Sequence, residues 1–379
     1  MQEIRYFDNA ATTIMSRTAL DVYQHVASTY IGNPSSLHAE GIKAKEKLEQ
    51  SREDLAGLLS VAKENLTFTA GASEANAIIF NSLIWKLQKP HVIISNIEHS
   101  STKEYGRLMK QLGWKVTTLD APGGFIKAED LRRALTKQTR LVSLMLVNNV
   151  VGTIQDIQAL VAEVRAYEQE QGGRKIHFHT DATQAFGKIP FSLETLGVDS
   201  AAFSAHKFHG PKGVGFLYNR DPAIESLSRG GGQEAGLRPG TENLPGIASM
   251  VEAAKESIQK FSEHEKRVKQ INTLLRDRLS FLPTISPEKA CSPYILNVAT
   301  NNLPSEVFTR MLYDKGFCVS SGSACSNNAK QKGEGVLESM QIAPSLAKSS
   351  IRISFSADTT IEEAEALAEA FTTLIQEHA

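Results

Sequence analysis

At 379 residues the chain exceeds a typical single domain, so a large globular unit with a smaller companion is expected. Apolar residues make up 41% and charged residues 22%, and 41 Lys and Arg face 42 Asp and Glu for a net charge of −1, a balance that announces neither a basic stripe for nucleic acid nor an acidic tail. No apolar run approaches a membrane span, the N-terminus lacks a charged-then-apolar leader, and three cysteines (Cys291, Cys318, Cys325) without a CxxC cannot build a disulfide framework, so the cytoplasm is the expected compartment.

Short β-rich runs are predicted at 65–69, 91–95, 115–119, 140–147, 175–180, 198–204 and 213–218. Helix-length segments such as 73–88, 100–112 and 155–171 lie between most of them. This alternation predicts an α/β architecture, a large domain with a mostly parallel seven-stranded sheet flanked by helices. A Gly-rich loop follows at 230–236. From 246 to 282 apolar residues recur at three- and four-residue steps, as one long helix or a kinked pair. Residues 295–379 change to a smaller α+β pattern, with strands at 295–299 and 350–356, a helix after Pro304 and a closing helix from Thr360. The expected division is 14–255 for the large domain, with 1–13 and 256–379 forming the small one.

Ligands in such folds gather beyond the carboxyl ends of strands. Lys207 closes the run 198–204 within Ser204-Ala205-His206-Lys207, and Asp181 closes the preceding one. A lysine joined to pyridoxal phosphate as a Schiff base needs such a carboxylate against the pyridinium nitrogen, to hold the ring protonated as an electron sink. Asp181 as a simple helix cap is the plain alternative. Gly71-Ala72-Ser73-Glu74 carries a strand into a helix, where free N–H groups, a hydroxyl and the positive helix end make an anion cradle. It is no Walker loop. His99 stands at another strand-to-helix corner, able to stack on a flat ring or to cap the helix. Cys325 lies among small polar residues, Ser320-Ser321-Gly322-Ser323-Ala324-Cys325, where a thiol is exposed and can become nucleophilic. Cys291 and Cys318 read as buried or incidental. Arg352 alternates with apolar neighbours and suits either capture of a carboxylate or a structural ion pair. His177, His179 and Asp181 share one strand face and, with His206 or His209, also allow a remote reading as the metal site of a hydrolase.

Taken together, the segments Tyr6–Thr13, Gly32–His38, Phe68–Asn76, Glu98-His99, Val147–Asn149, His179–Gln184, Ser204–Lys207, Gly240–Asn243, Ser320–Cys325 and Ser349–Arg352 resemble the cysteine desulfurases of the NifS/IscS type. These are class V members of the pyridoxal-phosphate fold type I enzymes, and the likeness covers essentially the whole chain. The resemblance implies that Lys207 carries the cofactor and shuttles the substrate α-proton. It implies phosphate contacts from Ala72, Ser73, Ser204 and His206, with Thr241 reaching a neighbouring subunit of a homodimer. Asp181 would meet the ring nitrogen, Gln184 the phenolic oxygen, and Asn149 and His99 the ring. Arg352, with Asn33, would bind the carboxylate of L-cysteine, and Cys325 would take the sulfur as a persulfide, leaving L-alanine. The sulfur would pass to an iron–sulfur scaffold or tRNA-thiolation enzyme, without direct nucleic-acid or membrane binding. A selenocysteine lyase or another class V lyase or aminotransferase is the sister reading. Val150 stands where the family usually has Glu, Ser73 where Thr is more frequent, and Ala235 where Arg is common.

Overall fold

The structure, a computed structural model, describes residues 4–84, 90–172, 175–300, 303–322 and 335–378. Its strands in chain order are β1 (Arg5–Tyr6), β2 (Leu66–Thr69), β3 (His91–Ser95), β4 (Lys115–Leu119), β5 (Thr139–Ser143), β6 (His177–Asp181), β7 (Ser200–Ser204), β8 (Gly215–Asn219), β9 (Ile295–Ala299), β10 (Phe317–Cys318), β11 (Ser320–Ser321) and β12 (Ser350–Ser354). Seven of them form one sheet in the order β2-β8-β7-β6-β5-β3-β4. Only β8 runs against its neighbours, antiparallel to both β2 and β7; the other pairs are parallel. The carboxyl ends of β2, β3, β5, β6 and β7 therefore open on one edge. Strands β3, β6 and β7 are buried at every position, as expected where helices cover both faces of a parallel sheet.

Most expected elements appear with edges shifted by a few residues. The run expected to continue to residue 147 ends its regular pairing at Ser143. There the Met145 amide turns from the ladder to donate to Glu98 Oε1 at 2.9 Å, while Leu144 and Leu146 still donate to the His179 and Asp181 carbonyls. The stretch 246–282 is a kinked pair, Leu244–Gln259 and Phe261–Arg278, broken at Lys260. Two N-terminal helices, Arg17–Thr29 and Ala39–Leu59, were not anticipated. The first packs on Leu244–Gln259, where Ser249 Oγ donates to the Ala19 carbonyl.

One hydrophobic core lies under the sheet around Phe178, Phe186, Phe203 and Phe216; the rings of Phe203 and Phe216 stack at 4.4 Å. A second joins Phe7 and Ala10 from the chain start to Val268, Leu296, Phe308, Ile351 and Phe371, around the antiparallel sheet β11-β12-β9. Between them Ile97, Met145, Val150 and Val151 pack against Leu337, Met340 and Ala347. Val150 is 5% exposed in this apolar seam, which accounts for an aliphatic side chain where the family usually carries Glu. The Gly-rich loop is tied down from below. Arg52 grips Glu234 through two hydrogen bonds of 2.7 and 2.9 Å, and Glu234 also accepts from the Phe68 amide. Glu234 and Ala235 hold φ of 50° and 53°, a backbone turn that this buried pair keeps in place.

Candidate active site

At the end of β2 the chain turns through Gly71 into the helix Ala72–Ile84. The opening amides of that helix, Ala72 and Ser73, have no carbonyl one turn back to bond, and the helix dipole adds positive character there. Gly71 sits at φ 149°, and a Cβ on it would meet Ser204 Oγ at 3.2 Å. Gly215 is tighter still, since a Cβ would lie 2.3 Å from the Phe203 carbonyl oxygen and 2.7 Å from Gly71 Cα. Backbone, hydroxyl and helix end thus form a notch lined by donors. Beside it stands His206, whose Nδ1 pairs with Thr12 Oγ1 at 3.2 Å; burial lowers its pKa to about 4, with Lys207 adding to the effect. The other ring nitrogen is left to donate as a neutral N–H.

Lys207 follows β7 and projects to the chain start, where Nζ donates to the carbonyls of Ala10 and Ala11 at 2.7 and 2.6 Å. Asp181 ends β6, 5% exposed; Oδ1 accepts from the Thr183 amide at 3.0 Å and Oδ2 from Asn76 at 3.1 Å. The helix-cap reading is met in part by the Thr183 contact, but the carboxylate keeps lone pairs toward the crevice. His99 caps the helix Ser100–Gln111 by accepting the Ser101 amide on Nδ1 at 3.2 Å. Burial lowers its pKa, with the charge of Asp181 opposing and that of Lys207 assisting, which places both groups within electrostatic reach of one imidazole. Gln184 is fixed by two contacts: Nε2 donates to the Ala10 carbonyl at 2.8 Å, and Oε1 accepts from Lys188 at 3.0 Å. Its oxygen is thus taken up by Lys188, and one of its two amide hydrogens by Ala10.

In the Asn148-Asn149 pair, the first is structural. Asn148 accepts from the amides of Val150 and Val151 and donates to the Ile97 carbonyl. Asn149 offers its carbonyl to Arg352 Nη1 at 3.0 Å. Arg352, 6% exposed, also reaches Asp8 Oδ1 at 2.8 Å and Ser320 Oγ at 3.0 Å, while its buried Nε has no partner among the described residues. The ion-pair reading of Arg352 thus describes its contact with Asp8, and Nε–H is an open donor among the described residues. Asn33 and Thr241 pair with each other at 3.4 Å on the exposed surface and share no described hydrogen bond with the Lys207 group. Cys325 lies outside the described residues. Cys291 is half-buried, its thiol donating to the Val151 carbonyl and pushed up to about 11 by burial; the Cys318 thiol is also raised by burial. Neither is poised as a thiolate.

The imidazoles of His177 and His179 are engaged at all four nitrogens, by Asp221, Ser200 (twice) and Asn76, which leaves no lone pair for the metal of the hydrolase reading. Residue-by-residue reading passed over Asn76, Lys188 and Asp8. Asn76 lies one helical turn past the cradle, a spacing that puts it on the same helix face, and Lys188 lies four residues past Gln184 in the turn after β6. Asp8 gave no local signal, being 344 positions from Arg352.

The donor notch, the carboxylate at the end of β6 and the amine after β7 are the chemistry required by a phosphate-bearing pyridine aldehyde, so the residues fit such a group. The model of the class-V aminotransferase family matches residues 5–367. A NifS/IcsS protein homolog of Lactobacillus delbrueckii subsp. bulgaricus is 39% identical over 380 aligned positions, covering 98% of this chain and 97% of the relative. The cysteine desulfurase IscS of Dictyoglomus turgidum is 34% identical, covering 94% and 91%. Among solved structures, a NifS-like protein superposes with a TM-score of 0.91 at 33% identity, covering 99% of this chain and all of the other (100%). SspA in complex with cysteine gives 0.80 at 30%, covering 94% and 100%. The chain belongs to the class-V aminotransferase family and, within it, to the NifS/IscS type, whose cofactor is pyridoxal 5′-phosphate.

Proposed function

We propose that the protein is a cysteine desulfurase that removes sulfur from L-cysteine, giving L-alanine and a persulfide on Cys325. The observation that carries this reading is the convergence of Lys207, Asp181 and the Gly71 cradle on one sheet edge. Bound there, pyridoxal phosphate supplies an electron sink that labilises bonds around the substrate α-carbon. Ala72, Ser73, Ser204 and His206 hold the phosphate by N–H and O–H donors. Asp181 faces the ring nitrogen, the Gln184 amide N–H faces the phenolic oxygen, and Asn149 and His99 flank the ring. The Lys207 ε-amine attaches the cofactor and then accepts the α-proton. Arg352 presents its guanidinium to the substrate carboxylate, helped by an Nε that has no partner among the described residues, with Asn33 beside it. The Cys325 thiolate attacks the substrate sulfur as the Cβ–S bond breaks, so that cysteine and one thiol become alanine and one persulfide.

The family resemblance and two cores support division into 14–255 and a small domain of 1–13 with 256–379. Homodimerisation is supported by the exposed Asn33–Thr241 pair beside exposed Ile31 (77%) and Leu37 (94%), an apolar patch suited to a second copy. The acceptor is a sulfur-carrier or scaffold protein of iron–sulfur assembly or tRNA thiolation, and the compartment is the cytoplasm. Among the described residues no helix is long and apolar enough to cross a membrane.

The test is Cys325→Ser on purified, cofactor-loaded protein supplied with L-cysteine and a thiol reductant. The parent is expected to form alanine in equal amount to sulfide. The variant is expected to keep the visible cofactor absorbance and lose sulfide release. Retained release would shift the assignment to a selenocysteine lyase or another class V enzyme, and absence of alanine from the parent would end the reading.

A further inference from the structure

A buried chain of hydrogen bonds runs behind the crevice, from the far end of β6 to its carboxyl end. His177 Nδ1 meets Asp221 Oδ2 at 2.8 Å and its Nε2 meets Ser200 Oγ at 2.7 Å. The same hydroxyl meets His179 Nδ1 at 2.7 Å, and His179 Nε2 meets Asn76 Oδ1 at 2.8 Å. Asn76 Nδ2 then forks, to Asp181 Oδ2 at 3.1 Å and to Ser101 Oγ at 2.9 Å. Ser101 Oγ in turn meets His99 Nδ1 at 2.9 Å. His177, Ser200, His179, Asn76 and Asp181 are all buried.

Counting protons fixes the direction of this chain. Asp181 can accept from Asn76 only if the amide nitrogen faces it, which turns Asn76 Oδ1 to His179. His179 Nε2 must then carry a hydrogen. A neutral His179 accepts on Nδ1, and the single Ser200 hydroxyl proton goes there. Ser200 Oγ has no further hydrogen for His177, so His177 Nε2 must donate, as must Nδ1 to Asp221. The charge could instead reside on His179. However, among the described residues that ring bonds to no carboxylate, and burial lowers its pKa to about 3 although the Asp181 charge raises it. His177 has Asp221 against it, and contact with the imidazole pulls the Asp221 pKa down. Asp199 is the other carboxylate acting on His177; it is itself paired with Arg165, Lys175 and Arg220.

We infer that His177 is a positioning residue: as a doubly protonated imidazolium held by Asp221, it orders every proton from Ser200 to Asn76, so that Asp181 is kept an acceptor. The inference rests on the reading that Asp181 meets the cofactor ring. The second Asn76 N–H goes to Ser101 Oγ, while His99 Nδ1 is held as an acceptor by the Ser101 amide itself.

The experiment is ring-nitrogen NMR on the loaded, full-length protein with ¹⁵N-labelled histidine, the His177 signals being identified by their loss in His177→Gln. At pH 8 His177 is expected to show two protonated nitrogens, and His179 the neutral Nε2–H form. A neutral His177, or a His179 protonated on Nδ1, overturns the inference. In parallel, the visible absorbance of loaded His177→Gln, Ser200→Ala and Asp221→Asn is titrated. The midpoint reporting the ring-nitrogen proton is expected to fall by about one pH unit in each. A merely structural role would lower the melting temperature and leave the midpoint in place, which refutes the relay. Asp181→Asn separates the two layers. An unmoved midpoint there refutes the placement of Asp181 at the ring and the proposal with it, whereas a midpoint moved there but not in His177→Gln refutes the relay alone.

Discussion

Lys188 is buried beside the site, its Nζ bonded to Gln184 Oε1 at 3.0 Å. Burial first, and then the charges of Lys207 and Arg352, lower its pKa from 10.5 to about 7. Between those values the unfolded chain holds a proton that the native state lacks, so stability rises with pH across that window. The native-state cost is fully present below about pH 7 and amounts to roughly 4–5 kcal/mol at 1.36 kcal/mol per pH unit. Lys188→Met keeps an unbranched chain and removes the charge, at the loss of one hydrogen bond of about 1 kcal/mol. The expected net gain is roughly 3–4 kcal/mol at pH 6. With an unfolding entropy near 2.1 cal/mol/K per residue, this raises the melting temperature by about 4–5 °C. The advantage shrinks above pH 7 and is essentially gone near pH 10, where the remaining charge penalty about equals the lost hydrogen bond. Scanning calorimetry of cofactor-free parent and variant from pH 6 to 10 measures the difference. A pH-independent difference, or a variant that melts lower at pH 6, would refute the account of a lysine held back from ionising.

Glu98 is predicted to show the mirror-image dependence, because burial raises its pKa to about 8 and the penalty for its charge grows as pH rises from 4.5 to 8. Glu98→Gln, which keeps an acceptor for Ser95 Oγ and the Met145 amide, should stabilise at pH 8.5 and not at pH 4.5 by the same calorimetry. Gly71→Ala should weaken cofactor binding by roughly tenfold or more in an equilibrium titration, since it combines a backbone strain of about 1–3 kcal/mol with pressure on Ser204. Arg52→Ala leaves Glu234 buried without its cation and should cost about 3–5 kcal/mol, seen as a lower melting temperature. Arg352→Ala should raise the KM for L-cysteine by roughly ten- to a hundredfold, the worth of a charged hydrogen bond, while leaving the visible cofactor absorbance in place.

The strand-and-helix alternation was readable because β3 and β7 are short, mostly apolar or small, and punctuated by polar turns. Asp181, Lys207 and the Gly71 cradle were readable for a related reason, since each directly follows such a strand. What stayed hidden depends on contacts between distant residues. Strand β5 ends early because a carboxylate 47 positions away takes its amide, and no local pattern marks that. The helices Arg17–Thr29 and Ala39–Leu59 have exposed polar faces and bury the other face largely against Leu244–Gln259. Arg352 announced a cleft-facing cation, but its partner Asp8 could be found only once β12 lay beside the chain start. His177 and His179 illustrate the opposite hazard: a short motif suggested a metal, and the fold supplies hydrogen-bond partners that use up its nitrogens.

A common principle links these side chains. Burial is the first cause of the shifts at Glu98, His99, His179, Lys188 and His206, and in each case it opposes the charged form. A pocket walled by such groups offers neutral donors and acceptors rather than counter-ions. On the proposed placement, a phosphate in this low-dielectric setting would be held mainly by dipoles: the Ala72 and Ser73 amides, the Ser204 hydroxyl and an uncharged His206. Such contacts are screened by salt far less than surface ion pairs. Cofactor retention should accordingly depend weakly on ionic strength, and should respond to acid only as the pH approaches the value of about 4 at which His206 gains its second proton. On the same proposal the ring nitrogen would meet in Asp181 a carboxylate oriented, among the described residues, by Asn76 and the Thr183 amide rather than by a cation. An electron sink requires that arrangement, since a cation bonded to Asp181 would draw off the charge that keeps the ring protonated.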